Sequence, residues 1–404
     1  MAVPLEPQRK GRRGIVESDT TFRREVRRRL VDLDLPGWPR APLAVDFGFS
    51  TTRQQPAGIE AYAKHYQDLL EPRARDDDVP PFLYCDDRQI KLLFVRCWHG
   101  WGHDRTPQIA LTCKPRRHVI AELEAAGRLG FSDDDHEDDS ADVDEPWYLN
   151  LAVQRLCGTE EERVFADLIA KYAEHEAHRA YQDSLLHAND RHLSHMLVSR
   201  ASSVIARLPD PAWRRLTRLG RPGDPEPLTT HGATERSREL LDMLIQVSLP
   251  PLPVERGGGE RFHDAVIEAC QQFVDRHALL HPLLVPLRIT LLVVPPARGK
   301  DLDNIVLTVI GAVNGVLEPH PEPWLLAPSL GGPDLDEPRR RDAIRRLCQT
   351  VQVGVASYQV IELARTEGDS EAGTLTMVLG HGDNLTSTWE AAADFVDARL
   401  ERDD

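Results

Sequence analysis

The chain has 404 residues, and because a single hydrophobic core rarely grows beyond roughly 250 residues, two or three domains are expected. Its hydrophobic share of 41% and charged share of 28% are those of an ordinary globular protein, and no apolar run is long enough to predict a membrane span. The formal net charge of -16 excludes a protein that coats nucleic acid non-specifically, since phosphate binding depends on clustered lysine and arginine.

Local charge and cysteine usage narrow these expectations. Residues 9–29 hold nine basic side chains against three acidic ones, so this acidic protein can still present a local basic face. The six cysteines are scattered without a Cys-x-x-Cys pair, which predicts neither a disulfide scaffold nor a structural zinc site. The first residues lack the apolar stretch of a secretory signal, and we expect a cytoplasmic protein.

The first third of the chain predicts an α/β unit. Hydrophobic periodicity indicates an extended proline-containing segment, a helix, a strand, a helix, two strands and a final helix, at residues 3–7, 22–33, 42–49, 59–70, 89–99, 108–113 and 118–129. Between the last two strands, residues 98–104 hold two histidines among aromatic residues, and we interpret this segment as a hairpin loop rather than a metal site.

The same order of elements recurs in the second half, at residues 247–253, 262–277, 286–293, 301–317, 359–365, 374–380 and 386–400, which predicts a tandem duplication. Between the copies, an acidic run at 133–145 predicts a solvated connector, and residues from 146 to about 244 predict long helices. We therefore expect unit 1 at 1–130, an acidic linker with a helical insert at 131–242, and unit 2 at 243–404.

Two acidic motifs stand at the boundaries of predicted elements. Asp301-Leu302-Asp303-Asn304 lies where a loop enters a helix, and two carboxylates spaced in this way can bind one Mg²⁺, although either aspartate would also serve as a helix N-cap. Asp86-Asp87-Arg88-Gln89-Ile90 directly precedes a strand, where an acidic pair is also common in polar turns. Each motif alone is therefore ambiguous.

Together the two motifs, and the order of elements around them, resemble the RusA family of Holliday-junction resolvases, which are small dimeric Mg²⁺-dependent endonucleases. The resemblance covers about residues 1–125 and 243–400. It implies an α/β fold of the α+β type, in which two RusA-like mixed-sheet units form a pseudo-dimer within one chain, with the helical insert between them.

The first copy retains only part of the residues that characterise the family. Asp86 and Asp87 are intact and Lys64 matches the family lysine, but Glu60 stands at the second aspartate of the helix motif and Gly58 replaces the first. One interpretation is that this copy is active alone, with Glu60, Asp86 and Asp87 binding the metal beside Lys64.

In the second copy, the retained residues are the complementary ones. Asp301 and Asp303 are intact, but Leu307 stands at the lysine position, and Ala356-Ser357 precede a strand that begins at Gln359. A second interpretation is that this copy is active with Asp301, Asp303 and a replacement acid such as Glu318 or Glu322. A third interpretation is that neither copy cuts. A composite site built from both copies is the remaining alternative, and it would use every retained residue.

The resemblance implies a branched-DNA-binding protein that hydrolyses phosphodiester bonds with Mg²⁺ or Mn²⁺. DNA recombination, DNA repair and defence against mobile DNA are all pathways in which such a protein would act. Arg9, Lys10, Arg12 and Arg13 are the candidates for binding DNA phosphates. The alternative is a catalytically inactive scaffold that binds DNA or a protein partner, with the helical insert as a docking surface. No phosphate-binding glycine loop of the nucleotide-binding kinds occurs, so no nucleotide cofactor is expected.

Overall fold

Eight strands form one mixed sheet in the computed structural model, which describes residues 1–10, 17–34, 41–53, 57–71, 83–99, 106–131, 175–199, 244–253, 259–277, 280–281, 283–296, 302–317, 354–363, 365, 370–382 and 385–403. The strands are β1 (Ala2–Val3), β2 (Leu43–Thr51), β3 (Ile90–His99), β4 (Gln108–Pro115), β5 (Gln246–Ser248), β6 (Leu287–Val294), β7 (Val355–Glu362) and β8 (Thr374–His381). The helices in these ranges are α1 (Glu17–Asp32), α2 (Ile59–Leu70), α3 (Arg116–Leu129), α4 (His175–Ser199), α5 (Gly259–Arg276), α6 (Leu302–Val316) and α7 (Thr388–Asp403).

The strand order is β1-β4-β2-β3-β7-β6-β8-β5, and the pairing pattern of the first four strands recurs in the last four. β2 is parallel to β3 and β6 is parallel to β7, whereas the other pairs are antiparallel. The register of β2 on β3 shifts between Leu43 and Ala44, and that of β6 on β7 shifts between Leu287 and Arg288. At the centre of the sheet, Phe94 of β3 lies opposite Gln359 of β7.

Helices cover both faces of the sheet, which explains why β2 and β6 are buried along their whole length. The core on one face contains apolar residues of α1, α2, α5 and α6, and the core on the other face contains residues of α3, α7 and the second half of α4. In α1 the buried residues Phe22, Val26 and Leu30 recur every four positions, as an amphipathic helix requires. These observations confirm the predicted mixed α/β fold and the order of its elements.

Helices α2 and α6 run in opposite directions across the same face. We call end A the end of the sheet at which β2 and β3 begin and β6 and β7 finish, and end B the opposite end. Helix α2 connects the finish of β2 to the start of β3, so its last turn lies at end A, whereas α6 follows β6 and begins at end A. The two helices pack against each other, and both contribute to the same core.

Two predictions about the strands are wrong. Strand β7 begins at Val355, so Ala356 and Ser357 lie inside the strand instead of preceding it. Ile90 pairs with Leu43, the first residue of β2, and Val355 pairs with Leu287, the first residue of β6, so Val355 is the counterpart of Ile90. The alignment based on the motifs placed this counterpart five residues later in the chain. The prediction of a hairpin between β3 and β4 is also wrong, because β2 lies between these two strands in the sheet. Trp98 and His99 belong to β3, and residues 100–104 lie outside the described part of the chain.

Helix α4, the described part of the predicted insert, is fastened to the second half of the chain by buried polar side chains. Gln182 Oε1 accepts a hydrogen bond from the backbone N–H of Leu284 at 2.9 Å, and Asn189 Oδ1 accepts one from Ile245 at 2.9 Å. Asp190 pairs with the buried Arg288 at 3.5 Å. The rest of the insert and the acidic run at 133–145 lie outside the described residues. None of the described helices is long and apolar enough to cross a membrane.

Candidate functional site

Three carboxylates meet at end A, where α2 finishes and β3 begins. Glu71 follows the last residue of α2, and Asp86 and Asp87 lie just before β3. One oxygen of each carboxylate lies within 4.8 Å of the others, and no other group of three such ligands occurs among the described residues. The structure therefore brings together the predicted residues Asp86 and Asp87 and adds Glu71, which the sequence analysis missed.

The Asp86-Asp87-Arg88-Gln89 motif builds a short helical turn that fixes this geometry. Asp86 accepts a hydrogen bond from the backbone N–H of Arg88 at 2.9 Å, while the Gln89 side chain accepts from the N–H of Cys85 and of Asp86. The other end of the Gln89 side chain donates to the Ala41 carbonyl at 3.1 Å, at the start of β2. The backbone N–H of Asp87 donates to Glu71 at 2.9 Å, which ties the turn to α2.

Two lysines border the carboxylates. Lys64 Nζ lies 3.0 Å from Asp68 and 3.7 Å from Asp87, and Lys10 Nζ lies 2.8 Å from Asp68. Partial burial would raise the pKa of Asp68, but hydrogen bonds from Lys10 and Lys64 lower it below its ordinary value. Asp68 therefore holds both ammonium groups beside the cluster.

The electrostatics of the cluster favour a bound cation. Partial burial raises the pKa of Glu71 against the opposing hydrogen bond from the Asp87 N–H and the charge of Lys64, and the negative charges of Asp68 and Asp86 add to the rise. Ligands on opposite sides of an octahedral Mg²⁺ are about 4.2 Å apart, given Mg–O distances of about 2.1 Å. Three ligands cannot all lie opposite one another, and adjacent ligands of such an ion are about 3 Å apart. Carboxylate oxygens within 4.8 Å of one another would therefore move closer together on binding the ion, with water or phosphate oxygens filling the remaining positions.

The basic N-terminal segment runs along α2 toward the cluster. Glu6 accepts hydrogen bonds from Thr51 and Thr52 at the finish of β2, and the backbone N–H of Gln8 donates to the Tyr66 hydroxyl at 3.3 Å. Lys10 then reaches Asp68. Of the other predicted phosphate-binding residues, Arg9 is exposed, whereas Arg12 and Arg13 lie outside the described residues.

Glu60 lies at the other end of α2. Eleven helical positions separate it from Glu71, which corresponds to about 16 Å along the axis. Its carboxylate folds back toward the first turn, so close that a Cβ added at Gly58 would lie 2.2 Å from Glu60 Oε1. Burial raises the pKa of Glu60. The interpretation of an active first copy requires Glu60 to lie beside Asp86 and Asp87. The structure does not bring these residues together.

Helix α6 begins at end A with Leu302, inside the second-half motif. Asp301 lies outside the described residues, as do Glu318 and Glu322, and only the backbone of Asp303 is described, in the first turn of α6. Leu307, which stands at the position of the family lysine, is 42% exposed. The first turn of α6 thus lies at the same end of the sheet as the carboxylate cluster.

No family model, no curated protein and no solved structure matches the chain. The chemistry of the site therefore rests on its own residues. One sequence signal for Glu71 was present: it follows Lys64 by seven positions and Asp68 by three, so the three side chains share one face of α2.

Proposed function

We propose that the two halves form a RusA-like pseudo-dimer within one chain. The support comes from the sheet: each half has the same pairing order and the same register shift, and the halves join through antiparallel strands centred on Phe94 and Gln359. A two-fold axis at this pair relates β3 to β7 and α2 to α6. Under this relation, the start of α6 and the start of β3 belong to one functional centre at end A.

The proposed function is Mg²⁺-dependent, structure-specific hydrolysis of phosphodiester bonds in branched DNA by this composite centre. The observation that carries it is the opposite direction of α2 and α6, which places Asp303 at the same end as Glu71, Asp86 and Asp87. Asp303 of the second half and Asp86 and Asp87 of the first thus belong to one end. Neither half alone would supply this set.

The roles of the residues follow from their positions. Glu71, Asp86 and Asp87 would hold the cation, with Asp303 of α6 as a further candidate ligand; Asp301, which precedes α6 in the sequence, stays a candidate outside the described residues. Such an ion lowers the pKa of bound water and stabilises charge on a phosphate. Lys64, 3.7 Å from Asp87, would balance negative charge on the phosphate, and Lys10 and Arg9 would bind a neighbouring phosphate of the same strand.

The test is cleavage of labelled four-way, flap and linear DNA with Mg²⁺ or Mn²⁺. We expect wild type to cut branched DNA, and we expect both Asp86→Asn with Asp87→Asn and Asp303→Asn to abolish cutting. Glu60→Gln should retain activity, because Glu60 lies at end B. If Asp303→Asn cuts normally while Glu60→Gln does not, the composite site is wrong and the first copy acts alone.

A catalytically inactive scaffold that binds DNA or a protein partner is the second candidate. It is favoured by the ionic contacts already present at end A, where Asp68 pairs with two lysines and Asp86 bonds the backbone of Arg88. A wild-type protein that binds four-way junctions but cuts none of the substrates with either metal would establish this function instead.

A further inference from the structure

Helix α1 presents a row of arginines to solvent. Residues 23–29 hold five arginines and one acid. With about 3.6 residues per turn, Arg24 and Arg28 lie opposite the buried stripe that begins at Phe22, and both are exposed. They are about 6 Å apart along the helix axis. The basic face of α1 is defined by Arg23, Arg24, Arg27 and Arg28.

The acids on α1 do not cancel the positive charge of this face. Arg28 pairs with Glu25 and with Asp32. A hydrogen bond from Arg28 lowers the pKa of Glu25 against a smaller opposing effect of desolvation, and the charges of Arg28, Arg24 and Arg29 lower it further. Exposed ion pairs of this kind contribute little to stability, so a phosphate can take the place of either carboxylate.

The corresponding helix of the second half, α5, carries the opposite charge on its outer side. Both helices open their buried stripe with a phenylalanine, and in both the buried residues recur every four positions. Asp264 and Glu268 of α5 therefore stand at the places of Arg24 and Arg28, and all four side chains are exposed. Packing against the core thus does not require arginine at these places.

Helix α1 is fixed to α2 near the carboxylate cluster. Asp19 Oδ1, in the first turn of α1, lies 3.0 Å from Nε2 of the buried His65. His65 precedes Glu71 by six positions, or about 9 Å of α2, and Arg28 follows Asp19 by nine positions, or about 14 Å of α1. With a helix contact of 8–10 Å, Arg28 lies within about 35 Å of the cluster, the length of about ten base pairs. One duplex arm can therefore reach both places.

We infer that the basic face of α1 binds the phosphate backbone of one duplex arm of a branched DNA, and that α5 makes no such contact at its equivalent positions. This inference rests on the proposed function, from which the ligand is taken. Charge complementarity favours DNA, because a duplex carries a negative charge about every 1.7 Å, whereas the protein has a net charge of -16 and concentrates arginine here. The two halves therefore hold the DNA unequally, although their folds correspond.

Binding of a labelled four-way junction, measured by fluorescence anisotropy across a salt series without divalent cations, tests this surface. Arg24→Gln with Arg28→Gln removes two exposed cations from the basic face. Arg261→Gln with Arg276→Gln, the matched control, removes two exposed cations from α5 and gives the same net charge. Each phosphate contact contributes about 0.9 to the slope of log K against log salt, so the α1 variant should lose about 2 of this slope and bind roughly tenfold more weakly. The control should match wild type.

A third variant separates charge from damage to the helix. Arg24→Lys with Arg28→Lys keeps both charges and should keep the wild-type slope. Equal slopes in wild type and the Arg24→Gln with Arg28→Gln variant, or an equal loss in the α5 control or the lysine variant, would overturn the inference and leave the proposed function intact. A wild type that binds no branched DNA would overturn the proposed function, and the inference with it.

Discussion

At the scale of single residues, Asp46 of β2 joins the two halves through its buried carboxylate. It accepts hydrogen bonds from Trp389 Nε1 of α7 at 3.0 and 3.1 Å. Burial, and secondly the charge of Glu390, raise the pKa of Asp46 from 3.8 to about 7, against the opposing effects of Trp389 and of the nearby Lys114 and Arg96. The folded protein thus keeps a proton at Asp46 that the unfolded chain loses.

Stability should therefore fall with rising pH at this group. Because the folded pKa lies above the unfolded one, the contribution of Asp46 is present in acid and is lost as the pH rises from 3.8 to about 7. Between pH 5 and pH 8 the loss should be roughly 2–3 kcal/mol. We expect Asp46→Asn, measured by urea unfolding, to lack this part of the pH dependence, and parallel curves for variant and wild type would contradict the assignment.

Gly373 is required by both its backbone conformation and its surroundings. Its φ is +74°, and an added Cβ would lie 2.2 Å from the carbonyl oxygen of Val294, at the finish of β6. Gly130, after α3, has a φ of +78° with nothing within 4 Å of its added Cβ, and it is the matched control. We expect Gly130→Ala to cost about 1 kcal/mol and Gly373→Ala clearly more, measured by thermal unfolding, since a backbone atom must also move. Equal costs would show that the contact relaxes freely.

Glu71 provides a test of metal binding that does not depend on cleavage. A ligand that binds only the folded state stabilises it, by about 2.7 kcal/mol at 100 times its Kd. We expect Mg²⁺ or Mn²⁺ to raise the Tm of wild type and of Glu268→Gln, an exposed control, but not that of Glu71→Gln. A shift that persists in Glu71→Gln would place the bound ion elsewhere.

At the scale of elements, α4 illustrates how an insert is fastened to a repeated fold. The Asn189 side chain accepts from the backbone N–H of Ile245 and donates to the carbonyl of Leu379, so it satisfies two groups in a buried location. Asn189→Ala would leave both without this partner, at a cost of about 1–3 kcal/mol for each buried group. We expect hydrogen exchange to accelerate at Ile245 in this variant, with little change at the distant β2.

The sequence predicted the helices and strands better than it predicted which of them lie next to one another. The bounds of α2 were predicted correctly, because its apolar spacing and flanking loops are local signals. The start of β7 was wrong because the motif around Gln359 was aligned by residue type, whereas hydrogen-bond register decides the correspondence. The order of strands across the sheet and the contact of Glu71 with Asp87 are set by tertiary packing, so no short stretch of sequence encodes them.

At the scale of the whole molecule, the two halves share their stabilising contacts. Lys91 of β3 pairs with Glu362 of β7 at 2.8 Å, and Arg96 of β3 pairs with Glu390 of α7 at 3.0 Å. Both hydrophobic cores contain side chains from both halves. A core that is continuous across a duplication leaves neither half with a complete interior of its own, so the duplicated units should behave as one folding domain.

The described sheet should therefore unfold in one cooperative transition. Tryptophan fluorescence, to which the buried Trp389 contributes as one of seven tryptophans, and far-UV circular dichroism should give the same urea midpoint. Phe94→Ala, at the central strand pair and beside Trp389, should lower the unfolding free energy by about 3–5 kcal/mol. The urea midpoint should fall accordingly, and the two signals should still change together. If the signals separate in wild type, the halves unfold independently, and the contacts across β3 and β7 contribute less than the packing within each half.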